Sequence, residues 1–133
     1  MTQEEKELVL KDICTRLPYG VYVEISWEYS KTDVHISTEY YEFPNIDSLL
    51  NMFWDEKCIS IKLYLRQMSS MTEEERNEYL SIKMQETERV ALAEVYRPEA
   101  ISEIMDWLNK HHFDYRGLIE RKLAVKSPEE MYK

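Results

Sequence analysis

The chain has 133 residues, with 26 Asp and Glu against 17 Lys and Arg, which gives a formal net charge of −9. This acidity disfavours direct nucleic-acid binding, which needs a basic face to neutralise phosphates. With only 2 glycines there is almost no room for the glycine-rich loops that hold nucleotide phosphates, and the length is that of one domain that buries a core without metal or disulfides.

The first predicted element is a helix over residues 3–16. Thr2 and Glu5 have the spacing of a capping box, in which a hydroxyl and a carboxylate each bond the backbone N–H of the other residue. Pro18 ends the helix, because the residue before a proline is pushed out of helical geometry. The apolar side of this helix carries Leu8, Val9 and Ile13.

Residues 19–28 and 33–41 alternate apolar and polar side chains with a period of two, which is typical of strands with one buried face. A turn at 30–33 separates them, so the pattern predicts an antiparallel hairpin. The apolar sets, which we expect to be buried, are Val21, Val23, Ile25 and Trp27 in the first strand and Val34, Ile36 and Tyr40 in the second.

The stretch 43–54 fits helical and strand spacing alike. We favour a short helix with Asn45 as its cap, and the strand stays open as the alternative. Residues 59–66 alternate again after a turn at 55–57 and predict a third strand. The apolar positions of this strand are Ile59, Ile61, Leu63 and Leu65.

The second half of the chain has helical patterns. Thr72 and Glu75 form a second capping box and predict a helix from 73 into the eighties, with a break before Val90 because residues 85–89 are wholly polar. Pro98 suits the first position of another helix. A short helical turn over 114–119 and an apolar stretch at 123–125 follow. The apolar stripe of the helix after Pro98 consists of Ile101, Ile104, Met105 and Leu108.

Together these elements predict an α+β fold. A small antiparallel sheet of three or more strands, with an SH3-like barrel as the variant, is covered by the N-terminal helix and the C-terminal helices. We expect one domain over 1–133, with a helix-plus-sheet region at 1–70 and a helical region at 71–133.

The N-terminus has no basic segment followed by an apolar one, and eighteen apolar residues nowhere run together. We therefore expect a cytoplasmic protein without membrane contact. In that compartment Cys14 and Cys58 should be reduced, partly buried thiols with a packing role.

Three blocks carry a family resemblance: residues 17–21 (LPYGV), 61–75 (IKLYLRQMSSMTEEE) and 106–120 (DWLNKHHFDYRGLIE). The chain resembles a family of small uncharacterised proteins encoded in phage and prophage-like regions of gut anaerobes. Members of that family have prolines at the positions of Leu63 and Gln67, and tend to have glycines near Lys122 and Glu130. The resemblance implies a mobile-element origin and carries over no catalytic or binding residue.

His111, His112 and Asp114 are of the residue types that bind metals. Adjacent residues at a helix end point apart, however, and no HExxH or CxxC spacing supplies further ligands. We therefore favour histidines that cap or pack at a helix C-terminus, where positive charge is favourable, and expect no metal and no cofactor.

Asp114 also suits the N-cap of the turn that follows it. Its carboxylate would then accept the backbone N–H of Arg116 or Gly117. Phe113 and Leu118 would occupy the two positions of a hydrophobic staple.

Candidate partner contacts lie in two places. The first is the polar face of the hairpin, an acidic surface dotted with aromatics that suits a basic partner, although a merely solvated face is the simpler interpretation. The second is Tyr115 with Arg116, because Tyr and Arg are frequent interface anchors; an ion pair of Arg116 with Asp114 or Glu120 is the simpler interpretation. The hairpin candidates are Tyr22, Glu24, Glu28, Glu39 and Tyr41.

The sequence has no motif of nucleophilic catalysis, since Ser69 and Ser70 lack the flanking glycines of a nucleophile elbow. We therefore predict a non-catalytic protein–protein interaction module, not an enzyme, with a protein partner. An acidic DNA mimic that binds a nucleic-acid-binding protein is one alternative, and a cryptic metal-dependent enzyme is another.

Overall fold

The computed structural model describes residues 1–45, 47–93 and 98–132, with the backbone alone described at 86–93 and 98–102. The helices are α1 (Gln3–Arg16), α2 (Asp47–Phe53), α3 (Glu73–Ala93) and α4 (Pro98–Lys110), and short 3₁₀ turns lie at Leu17–Tyr19 and Met68–Ser70. The strands are β1 (Val21–Ser30), β2 (Asp33–Tyr41), β3 (Cys58–Leu65) and β4 (Ala124–Lys126).

The four strands form one open sheet in the order β2-β1-β3-β4. Strand β1 lies antiparallel to both β2 and β3, whereas β4 is parallel to β3. The predicted α+β class is confirmed, but the sheet is mixed and open rather than an SH3-like barrel. The region 71–133, predicted to be helical, contributes β4 as well.

The capping boxes set the starts of α1 and α3 as predicted. Thr2 and Glu5 exchange their two side-chain hydrogen bonds at 3.1 Å each, and Thr72 and Glu75 do so at 3.0 and 3.2 Å. Helix α1 has the predicted bounds, whereas α3 continues to Ala93 through the break expected before Val90.

Helix α1 packs against one face of the sheet, and the core lies between them. Helix α4 contacts α3 and α1; its Leu108 is buried and its Ile104 and Met105 are half-buried, while the side chain of Ile101 lies outside the described residues. The centre of the core is made of Val9, Ile13, Val21, Val23, Ile25, Ile61, Leu63 and Leu65.

Within the ambiguous stretch 43–54, residues Asp47–Phe53 form helix α2, so the strand alternative is wrong. Leu49 and Phe53 are buried on its inner side. They are four residues apart, which places them on the same face of a helix. Ile46, part of the predicted apolar pattern, lies outside the described residues.

Strand β2 has the predicted bounds but the opposite orientation. The apolar side chains of Val34, Ile36 and Tyr40 are 51%, 66% and 48% exposed, although we expected them in the core. The register explains this difference: Val23 pairs with Glu39, so odd-numbered β2 residues share the core face and even-numbered ones point away from it. Both faces of this edge strand are largely exposed, and only Ser37 and Tyr41 are half-buried.

Candidate functional site

The sheet face that α1 leaves uncovered is called here the open face. Its centre is a polar network: the Tyr64 hydroxyl donates to Glu24 at 3.3 Å and lies 3.0 Å from the Thr38 hydroxyl. The open face consists of Tyr22, Glu24, Ser26 and Glu28 from β1, Val34, Ile36, Thr38 and Tyr40 from β2, and Ser60, Lys62 and Tyr64 from β3.

The open face holds Tyr22, Glu24 and Glu28, three of the five predicted hairpin contacts. The other two, Glu39 and Tyr41, pair with Val23 and Val21 and lie on the core side, so the five do not form one surface. Tyr41 is half-buried and packs against the core, and burial raises its pKa.

Three apolar side chains of β2 take the place of Glu39 and Tyr41 on the open face. Sequence reasoning assigned Val34, Ile36 and Tyr40 to the core because they alternate with polar residues. Alternation identifies two faces without saying which one is buried. The missing information was the register set by the tight turn, in which Ser30 pairs with Asp33.

One end of the open face is aromatic. Tyr22 contacts the rings of Tyr40 and Tyr132, with centroids 4.9 and 5.6 Å away. The Tyr40 ring lies over Gly20, which has a φ of 76° and no room for a Cβ. The Tyr132 hydroxyl accepts the N–H of Tyr22 at 3.2 Å and donates to the carbonyl of Tyr64 at 2.7 Å, and burial raises its pKa to about 12.

On the other side of the sheet lies a buried ionic cluster centred on Asp12, which is 0% exposed. Its carboxylate accepts hydrogen bonds from Arg16 Nε at 3.0 Å and Arg116 Nε at 2.9 Å. Arg16 also donates to the carbonyl of Phe113 at 2.7 Å. Arg116 therefore pairs with Asp12, not with Asp114 or Glu120 as expected.

Tyr115, the other predicted contact in this segment, is engaged by the same cluster. Its ring lies 5.0 Å from the guanidinium carbon of Arg16 and 5.2 Å from that of Arg116, and its hydroxyl donates to Asn109 at 2.8 Å. Tyr115 and Arg116 are half-buried and hold the 113–119 segment against α1.

Asp114 organises the turn that follows it, but not in the predicted way. Its carboxylate accepts the N–H groups of Leu118 at 2.8 Å and Ile119 at 2.9 Å rather than those of Arg116 or Gly117. The segment is a non-helical turn with Gly117 at a φ of 70°, so the carboxylate bridges a longer loop than a helix N-cap would.

The two histidines point to different neighbours. His111 Nδ1 lies 3.5 Å from a Glu75 oxygen, whereas His112 stacks on Tyr132 with centroids 3.6 Å apart. Burial lowers the pKa of both, that of His112 to about 3, so they are neutral rather than positively charged as expected at a helix end. Within the described parts of the chain, no group of three or more His, Cys, Asp or Glu side chains is arranged to hold a metal.

A cleft of about 750 Å³ opens beside the end of β3 and includes Arg66, Glu75, His111, Lys126 and Tyr132 in its lining. Both Arg66 terminal nitrogens bond Glu75 at 2.7 Å. This guanidinium lowers the pKa of Glu75 to about 2. A carboxylate so strongly held in its ionised form is a poor general base at neutral pH.

Both cysteines are free. Cys58 is buried in the core as predicted, whereas Cys14 is exposed on α1. Desolvation raises the pKa of both thiols, which keeps them protonated and weakly nucleophilic at neutral pH.

Comparisons of the chain with protein-family models, with curated proteins and with solved structures find no match. Of the helices that the structure describes, none is both long and apolar enough to cross a membrane.

Proposed function

We propose that this chain is a non-catalytic protein–protein interaction module that binds its partner through the open face. The observation that carries the proposal is the row of exposed apolar side chains Val34, Ile36 and Tyr40 on β2. Single exposed apolar residues are normal on protein surfaces, whereas several side by side with polar neighbours are typical of interaction sites. Tyr22, packed on Tyr40, extends the row onto β1.

The charges of this surface indicate the chemistry of the partner. Glu24 and Glu28 border the apolar row, and the chain as a whole has a net charge of −9. A partner with an apolar anchor surrounded by basic residues would match both features, and the opposite charges would speed its association. We include a cytoplasmic location and a mobile-element origin in this proposal, the latter on the resemblance of residues 61–75 and 106–120.

The test uses the purified chain as bait in a lysate of the organism that encodes it. Ile36→Glu places a charge in the apolar row, and Met84→Glu is its matched control, because the two side chains are 66% and 65% exposed. We expect Ile36→Glu to lose a partner that the wild type and Met84→Glu both retain. Equal recovery by the two variants, or recovery of the bait alone, would contradict the proposal.

An acidic DNA mimic is the second candidate, which Glu24 and exposed Glu28 on one face support. Lys62 stands opposite Glu24 and breaks the negative surface, so we rank this function below the first. Salt separates the two: binding by a mimic should weaken steeply between low and moderate ionic strength, whereas binding anchored by the apolar row should keep most of its affinity and lose mainly association rate.

A further inference from the structure

Strand β2 leaves one edge of the sheet free. It is the last strand in the order β2-β1-β3-β4 and, among the described strands, pairs with β1 alone. Soluble proteins usually protect such an edge with charged residues, lysine above all, with proline or with a covering element. None of the nine residues of β2, DVHISTEYY, is Lys, Arg or Pro, and its acidic residues are Asp33 and Glu39.

The backbone directions identify the residues that line this edge. The N–H groups of Tyr22 and Glu28 point to the β3 side of β1. There Tyr22 donates to the Tyr132 hydroxyl and Glu28 donates to the Lys57 carbonyl. Successive residues of a strand direct these groups to opposite sides, so odd-numbered β1 residues bond β2. Through the pairing of Ile25 with Ser37, odd-numbered β2 residues bond β1 in turn. The N–H and C=O groups at the free edge are therefore those of Val34, Ile36, Thr38 and Tyr40.

We propose that β2 pairs antiparallel with β2 of a second copy of this chain, about a two-fold axis through Ser37. Each outward-facing residue then exchanges backbone hydrogen bonds with an outward-facing residue of the other copy. A two-fold interface of this kind uses the same strand twice and closes on itself. The result is one continuous sheet across the two copies.

The side chains match in this register. Val34 stands opposite Tyr40 of the second copy on the open face, which is a favourable β-branched and aromatic cross-strand pair. On the other face His35 stands opposite Glu39 of the second copy. An imidazole N–H can donate to Asp33, now 2.8 Å from Nε2, or to that Glu39 carboxylate. The two-fold axis repeats both pairs.

Neighbouring registers are worse. Only even-numbered residues face outward, so an alternative register must shift the pairing partner by two residues. A shift in one direction places Asp33 opposite Glu39, and like charges directly opposite each other are destabilising. A shift in the other direction places apolar Val34 opposite Glu42. The register centred on Ser37 avoids both conflicts.

This inference goes beyond the proposed function, because the edge bonds the second copy while the open face stays accessible to a different protein. The mass of the pure chain tests it without any partner. Sedimentation over a dilution series should show reversible association to twice the 16.1 kDa of one chain. A monomer at every concentration would overturn the proposal.

Thr38→Pro tests the edge itself. It removes an outward N–H while leaving the β1 side of the strand paired, and edge strands tolerate proline there. Thr38→Ala is the control, since it loses only the hydroxyl contact with Tyr64. We expect Thr38→Pro to weaken the dimer at least about tenfold and Thr38→Ala to change it less than about twofold. Equal dimerisation of the two variants would overturn the proposal.

A charge reversal tests the register and stays informative if the proline variant fails to fold. His35→Glu should weaken the dimer by facing Glu39 of the second copy, and adding Glu39→Lys should restore it. Within one chain the two positions are four residues, or about 13 Å, apart, so the rescue must come from the other copy. A dimer that His35→Glu leaves intact, or that Glu39→Lys does not rescue, would overturn the register centred on Ser37.

Discussion

The hydroxyl of Tyr132 donates to the backbone carbonyl of Tyr64, 68 residues earlier in the chain, at 2.7 Å. The same oxygen accepts the N–H of Tyr22 at 3.2 Å. Tyr22 and Tyr64 belong to adjacent strands, just beyond the pairing of Val23 with Leu63. A side chain thus takes the place of a direct backbone bond between β1 and β3.

Tyr132→Phe should lower the free energy of unfolding by about 1–3 kcal/mol, because it leaves a sheltered backbone donor and acceptor without their partner. Urea denaturation followed by circular dichroism measures the change. Tyr29→Phe, at a position 53% exposed, is the control and should change stability little. If the two variants are equally stable, the hydroxyl does not join the strands.

Asp12→Asn should destabilise the fold by about 3–5 kcal/mol, because it removes the anion that faces two partly or fully buried guanidinium groups. Arg16 has a side-chain exposure of 0% and cannot recover its hydration without unfolding. Glu7→Gln, an exposed change on the same helix, is the control. Similar denaturation midpoints for the two variants would contradict a structural role for Asp12.

Substitutions at Asp114 and Arg116 can distinguish a structural role of the segment after α4 from a role in partner binding. Asp114→Ala should cost about 1–3 kcal/mol, because it leaves the N–H groups of Leu118 and Ile119 without their acceptor, and any loss of partner binding should follow that loss of stability. Arg116→Ala should also act through stability, since Arg116 bonds buried Asp12. If Arg116→Ala leaves the fold stable but abolishes partner binding, Arg116 is a contact residue and its structural assignment is wrong.

The buried imidazole of His112 should make the stability of the fold depend on pH. Its pKa is about 3 in the folded chain against 6.5 for an unperturbed histidine, so the unfolded chain takes up the proton first. This group has no effect on the free energy of unfolding above pH 6.5, and it lowers that free energy by about 1.4 kcal/mol per pH unit as the pH falls from 6.5 toward 3. His112→Asn, which tolerates the φ of 61°, should flatten denaturation midpoints between pH 6.5 and 4.5. Unchanged curves would contradict the burial of a neutral imidazole.

Glu75 should affect the stability of the fold in a lower pH range than His112 does. The bidentate bond from Arg66 lowers its pKa from 4.5 to about 2, so its stabilisation is present above pH 4.5 and is lost as the pH falls toward 2. Glu75→Gln should reduce the acid sensitivity of the fold in that window only. Glu74→Gln, an exposed neighbour in the same helical turn, should leave the acid transition as in the wild type.

Local signals in the sequence predicted most of the elements. The reciprocal spacing of Thr2 with Glu5 and of Thr72 with Glu75 located two helix starts, because capping depends on residues only three apart. Alternation of apolar and polar residues located β1, β2 and β3, because it too depends only on residues close together in the sequence. The orientation of β2 and the parallel strand β4 were not predictable in this way, because each depends on pairing between distant segments.

The candidate site was predicted less well. Tyr22, Glu24 and Glu28 do share a face, but Glu39 and Tyr41 lie on the opposite one. The ionic cluster was missed entirely, although Asp12 and Arg16 are four residues apart, a spacing that brings opposite charges together on a helix. That spacing usually describes an exposed pair, whereas here the distant 113–116 segment bonds both residues, Arg16 through Phe113 and Asp12 through Arg116.

The contact of Tyr132 with Tyr22 spans 110 residues, so during synthesis it can form only after residue 132 has left the ribosome. The β1–β2 hairpin needs only contiguous chain and can form soon after leaving the ribosome. Strands β1 and β3 can pair next. The link between Tyr22 and Tyr64 at the end of this pairing needs the hydroxyl of Tyr132, and β4 needs residues 124–126. Until then one edge of β3 is unpaired in the nascent chain. Unpaired strand edges are prone to aggregation, so this is the stage at which a chaperone would bind to advantage.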